Sequence, residues 1–119
     1  MSEIRQGQVF WLDFGPSSGS APADRHPCVV VQNDIFNRSS IATTVVCLVT
    51  SNLNRARAPG NVPLDAGEAD LPKASVVLVS QVFTVDKAQL GDFVGSLSGH
   101  RIRQVLDGIA LVLEPREVE

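Results

Sequence analysis

Long apolar stretches are missing from this 119-residue chain. Runs such as VVLV at Val76–Val79 and ALVL at Ala110–Leu113 fall far short of the roughly 20 residues that cross a bilayer, so no membrane association is expected. An excess of positive charge is also missing: 10 Lys and Arg stand against 13 Asp and Glu, for a net charge of −3. That excludes a protein that coats nucleic acid by bulk electrostatics and leaves only a small, specific site for such a ligand. Metal ligands are scarce. His26 and Cys28 alternate on one face of a strand, but His100 lies far away in sequence and no second close pair exists, so no metal site is expected. A Walker loop, a dinucleotide glycine fingerprint and a serine nucleophile elbow are all absent, which removes most familiar enzyme classes and their cofactors; none is expected here. The two cysteines, Cys28 and Cys47, each sit inside a β-branched run and read as buried free thiols in a reducing compartment. The N-terminal MSEIRQGQ lacks the apolar core and small-residue cleavage site of a signal peptide, and the expected location is the cytoplasm.

What remains is an ordinary globule, 44% hydrophobic and 19% charged, with neither internal repeats nor low-complexity segments. Its length predicts one domain over residues 1–119. QVFWLDF at Gln8–Phe14 is dense in aromatic and β-branched residues and reads as a strand. GPSSGSAPAD at Gly15–Asp24 reads as a mobile, functional loop. Pro27 opens a second strand, Cys28–Asn33, followed by a turn or helical turn in DIFNRSS. A third strand covers Thr43–Thr50, a short extended piece Asn61–Leu64, and one or two strands Ser75–Asp86; LGDFVGSL adds a last strand. From Ser98 the pattern changes. Ile102, Val105, Leu106, Ile109 and Leu113 recur at helical spacing, with Ser98 as N-cap and Pro115 after the end. Short strands and one closing helix predict a small, strongly curved antiparallel sheet or barrel with helices to one side.

The chemistry gathers at strand ends. Arg25 and His26 precede the second strand, and Thr50, Ser51 and Asn52 end or follow the third; antiparallel pairing would bring the two groups to one edge. A guanidinium, an imidazole and a hydroxyl suit chemistry at phosphorus without metal. In RNA the 2′-hydroxyl attacks the adjacent phosphodiester when one group takes its proton, another protonates the departing 5′-oxygen, and a fixed donor holds the phosphoryl oxygens. His26 can exchange protons near neutrality, Arg25 can fork onto a phosphate and Thr50 can donate to a phosphoryl oxygen. By residue type alone, a surface Arg and His beside a strand-end Thr is the favoured reading.

Five ordered blocks tilt that balance: VFWLDFGPSSGS, HPCVVVQNDIFNRS, LVTSNLNRA, SVVLVSQVFTVDK and VGSLSGHRIRQVLDGI. In this order and spacing, from about Gly7 to Leu113, the chain resembles the MazF/PemK family of toxin endoribonucleases. The resemblance implies a mainly β, α+β fold: a small SH3-like curved sheet or barrel of the CcdB/MazF type with a C-terminal helix, assembled as a homodimer. It implies metal-independent cleavage of single-stranded RNA, usually mRNA, at a short motif, leaving a 2′,3′-cyclic phosphate and a 5′-hydroxyl, and a MazE-like antitoxin that blocks the site. The family's catalytic pair is an Arg just before the second-strand proline and a Thr or Ser in a TS motif. Thr50 matches; the residue before Pro27 is His26, with Arg25 one place earlier. The two are expected to act together, Arg25 as electrostatic clamp and His26 as proton carrier. The loop carries Ser20, Ala21 and Pro22 in place of a frequent SEQ, and Ser80 and Phe83 replace an acid and an Arg of DQIRTID.

For RNA binding the candidates are Gln32, Asn33, Asn37, Ser51, Asn52, Gln81 and Phe83: amide edges that read splayed bases and an aromatic that stacks them. Turn capping competes for Asn33 and Asn37, and core packing for Phe83. Arg38, Arg55 and Arg57 are candidate backbone contacts. The rival function is a non-catalytic or gyrase-directed CcdB-like toxin or binding module.

Overall fold

The structure, a computed structural model, describes residues 3–13 and 25–116; the expected loop Gly15–Asp24 lies outside the described residues. Six strands form one antiparallel sheet: β1 (Gln8–Asp13), β2 (Arg25–Val30), β3 (Thr43–Thr50), β4 (Val62–Leu64), β5 (Ser75–Asp86) and β6 (Leu90–Ser96). Their order is β4-β5-β3-β2-β1-β6, so the sheet is open, with β4 and β6 at its edges, and the barrel alternative is not realised. A short α1 (Asp34–Asn37) lies between β2 and β3, and α2 (Gly99–Leu113) is the last element. Among the described residues, no helix is long and apolar enough to cross a membrane.

The near-continuous apolar runs of β2 and β3 are explained by burial on both faces of the sheet. Val29, Cys47 and Val49 belong to one core with Val77, Val79 and Val105 of α2. Cys28, Val30 and Val46 alternate to the other face and pack with Leu12 and Val85. Both thiols are free and fully buried, as expected, and burial pushes each up to about 12. They are inert core side chains at neutral pH.

β2 and the last residue of the helix differ from the sequence reading. β2 starts at Arg25 and stops at Val30, shifted toward the N-terminus, because its first residues are held by β1, with Asp13 opposite Arg25 and Trp11 opposite Pro27. Ser75–Asp86 is a single strand, one of the two arrangements expected, and it carries a bulge: Leu48 pairs with Leu78 and the adjacent Cys47 with Val82, leaving Val79, Ser80 and Gln81 without a partner on β3. Leu113, the last residue of α2, is 75% exposed and not on the core face. Ser98 caps that helix as expected, its Oγ accepting from Arg101 N–H at 3.2 Å. Gly108 lets α2 sit directly on the Gly60 turn; a Cβ there would stand 2.4 Å from the Gly60 carbonyl oxygen.

Candidate active site

β2 is bonded to β1 through its whole length, yet its pairing with β3 covers only Cys28–Val30. Proline chemistry explains where it stops. Val31 N–H donates to Val45 O at 2.9 Å, so odd-numbered residues of β2 turn their backbone groups toward β3. Pro27 is the next such residue after Val29 and has no N–H to give. Beyond it β2 stays with β1 while β3 continues on β5 to the Thr50–Val76 pair, and the sheet forks.

The fork holds a cleft of about 360 Å³. Arg25, His26 and Pro27 line it from one prong, Val49, Thr50 and Ser51 from the other; Trp11 and the β4–β5 connection, through Leu71, Pro72, Lys73 and Ser75, complete it. The register of the paired part, continued two residues, aligns His26 with Thr50. Arg25 falls on the opposite parity. There its guanidinium lies 4.6 Å from the centroid of the Trp11 ring, a diagonal cross-strand contact fixed by the Asp13–Arg25 and Trp11–Pro27 pairs. Asp92, exposed and 3.8 Å away, adds a weak ion pair. Thr50 Oγ1 accepts from Asn52 N–H at 3.1 Å, which orients the hydroxyl and leaves its proton to donate elsewhere. Asn52 in turn caps the following 3-10 turn, its Oδ1 accepting from Asn54 N–H at 3.2 Å.

The other sequence candidates are distributed away from this cleft. Gln32, Asn33 and Asn37 lie beyond the far end of β2. Asn33 Oδ1 caps α1 by accepting from Ile35 N–H at 2.8 Å. Asn37 is buried, and all four hydrogen-bonding positions of its amide are filled. Its Nδ2 donates to Gln32 O at 2.8 Å and Asp34 Oδ1 at 3.1 Å, and its Oδ1 accepts from Gln32 Nε2 and Thr44 Oγ1, both at 2.9 Å. Its amide edge is therefore not available to a base in this conformation, because it is the hub of the loop's own hydrogen bonding. Gln81 lies in the β5 bulge and Phe83 packs against the second core; neither lines the cleft. Conversely, Trp11, Lys73 and Ser75 were not picked out from sequence. Trp11 carried one signal, a lone tryptophan in the strand next to the Arg25–Pro27 prong; Lys73 and Ser75 carried none, being brought in by β5 from beyond β3.

Residues 5–113 match the family described as the PemK-like, MazF-like toxin of type II toxin-antitoxin systems. The chain belongs to this family. It is 40% identical over 111 residues to the endoribonuclease MazF6 of Mycobacterium tuberculosis, covering 93% of this chain and 97% of that one. It is 33% identical over 110 residues to the endoribonuclease MazF of Staphylococcus saprophyticus, covering 92% and 91%. Among solved structures, MazF from Deinococcus radiodurans superimposes with a TM-score of 0.74 at 22% identity, over 97% of this chain and all of that one. An endoribonuclease in complex with its cognate antitoxin, from a mycobacterial species, gives 0.73 at 20% identity, over 99% and 100%. These likenesses fix the fold as that of the MazF toxins.

Proposed function

We propose that this MazF-family protein is an endoribonuclease, the toxin of a type II toxin-antitoxin pair, and that the forked cleft is where it cuts single-stranded RNA, mRNA in the cell. The observation that carries the reading is the convergence of Arg25, His26, Thr50 and Ser51 on one cleft in a chain whose relatives are named endoribonucleases. The reaction is transesterification. The ribose 2′-oxygen forms a bond to phosphorus while the bond from phosphorus to the 5′-oxygen breaks, leaving a 2′,3′-cyclic phosphate and a 5′-hydroxyl. A proton leaves the 2′-hydroxyl and one arrives at the 5′-oxygen; His26 carries one of these transfers and water the other. Arg25, steadied on Trp11, clamps the phosphate, and the Thr50 hydroxyl donates to a phosphoryl oxygen as its charge grows. His26 stands where the family has its arginine, and its register with Thr50 favours it for the proton transfer over Arg25 on the other parity. Ser51, which lines the cleft just after β3, and Asn52 next to it meet the RNA strand as it leaves.

The protein acts in the cytoplasm as a homodimer and is held in check by a MazE-like antitoxin. Ile35 and Phe36, 69% and 55% exposed, are apolar surface that an assembly would cover. The gyrase-directed alternative has no support from relatives that are named as ribonucleases. Incubation with a long single-stranded RNA in EDTA tests the reading: the wild type gives discrete cuts at one motif with cyclic phosphate ends, and Thr50→Ala gives none. Uncut RNA from a folded wild type, or full activity in both Thr50→Ala and His26→Ala, would overturn it.

A further inference from the structure

The connection between β4 and β5, residues 65–74, is fixed far more firmly than its surface position requires. Glu68 is gripped through both carboxylate oxygens by Arg101 of α2, with Nε at 3.0 Å and Nη2 at 2.9 Å, and also accepts from Asp65 N–H at 2.7 Å. Ala69 and Asp70 hold left-handed backbone, at φ of 52° and 58°, which non-glycine residues keep only where the surroundings impose it. Gly95 of β6 presses against the same segment, where a Cβ would come 2.3 Å from the Ala69 carbonyl oxygen. Leu71 is then anchored in the core, and the Lys73 carbonyl accepts from Ser75 Oγ at 2.9 Å. The outcome of all this fixing is that Pro72 and Lys73 are delivered to the wall of the cleft that Arg25 and His26 do not occupy. Lys73 is exposed there, and among the described residues it makes no ion pair.

We propose that Lys73 is a substrate-binding residue that holds an RNA phosphate across the cleft from Arg25, on a wall preformed by the Glu68–Arg101 brace. The inference rests on the endoribonuclease reading and extends it to the side of the cleft that the catalytic strand ends do not supply. An ammonium on a flexible stem serves as a point charge for a phosphate that needs holding but no fixed geometry. A rigid wall means that binding does not require ordering the segment that presents it. The residue's contribution belongs to binding and not to the bond-breaking step, since nothing places it on the reacting atoms.

The test is binding of a fluorescent single-stranded RNA that the wild type cuts, measured by anisotropy in the Thr50→Ala background between about 50 and 200 mM KCl. Adding Lys73→Gln should weaken binding several-fold and lower the log–log salt slope by about 0.7, the value for one phosphate contact on a single strand. Lys73→Arg should restore both, and the melting temperature should stay with the parent's because the side chain is exposed. Affinity and slope unchanged by Lys73→Gln, with an RNA that the wild type does cut, overturn this proposal alone. A wild type that neither cuts nor binds RNA overturns the endoribonuclease reading and this one together.

Discussion

Asn37→Ala separates a structural amide from a base-reading one. In the folded protein the change removes a side chain whose partners include the Thr44 hydroxyl, itself wholly buried, and the Gln32 backbone carbonyl. Other partners keep a second bond: Gln32 Nε2 still donates to Thr43 O at 3.2 Å, and Asp34 Oδ1 still accepts from Gln6 N–H at 2.7 Å. Two polar groups are thus stranded, at about 1–3 kcal/mol each; the half-buried carbonyl belongs at the low end of that range and the Thr44 hydroxyl higher. The sum is about 3 kcal/mol, or roughly 12 °C in melting temperature at about 4 °C per kcal/mol for a domain of this size. Thr44→Val removes the stranded hydroxyl, so Asn37→Ala should cost about 2 kcal/mol less in that background than in the wild type. Urea denaturation of the four proteins at one fixed protein concentration closes the cycle. Additivity within about 0.5 kcal/mol would refute the argument. So would a stable Asn37→Ala protein with weakened RNA binding, which would return the amide to recognition.

Gly108→Ala sets two effects of opposite sign against each other: helix propensity favours alanine by about 1 kcal/mol, but the new methyl meets the Gly60 carbonyl and a Val79 methyl, an overpacking that costs about 1–3 kcal/mol. Net destabilisation in thermal melts is expected, and a rise in melting temperature would show that α2 does not pack this closely. Acid stability should depend on Glu68. Hydrogen bonding from Arg101, then from Asp65 N–H, holds its carboxyl below the ordinary 4.5. A depressed carboxylate stabilises the fold above its unfolded pKa and loses that contribution as pH falls through the folded one. Melting temperatures taken downward from about pH 5 should therefore fall more steeply for wild type than for Glu68→Gln; parallel curves would remove this residue from the acid limb.

Local patterning in the sequence carried much of the fold. β3 and the Ser98 cap could be read residue by residue, since eight β-branched or apolar positions and a helix period of apolar residues depend on neighbours alone. The strand ends of the site were legible for the same reason: Pro27 and the polar residues from Thr50 onward mark where buried chain stops. What could not be read was anything decided across the sheet. Trp11 meets Arg25 only through the β1–β2 register, and Lys73 reaches the cleft only because β5 lies beside β3. Asn37 looked like an exposed turn amide because the polar run Arg38–Ser40 follows it directly. Its burial comes from Thr44 and from Lys87, fifty residues on, whose Nζ donates to the Asn37 carbonyl at 2.9 Å.

The fork at Pro27 separates two things that an active site usually ties together. Where it opens is set by the main chain, by one hydrogen that proline does not have. Residues at the mouth are therefore free to diverge without opening or closing it. Under the proposed reading, His26 before Pro27 is the kind of exchange such a frame tolerates: the chemistry on offer changes while the cleft stays as it was. Substitutions that change what the protein cuts would, on that reading, accumulate at the mouth of the cleft at little risk to the fold beneath.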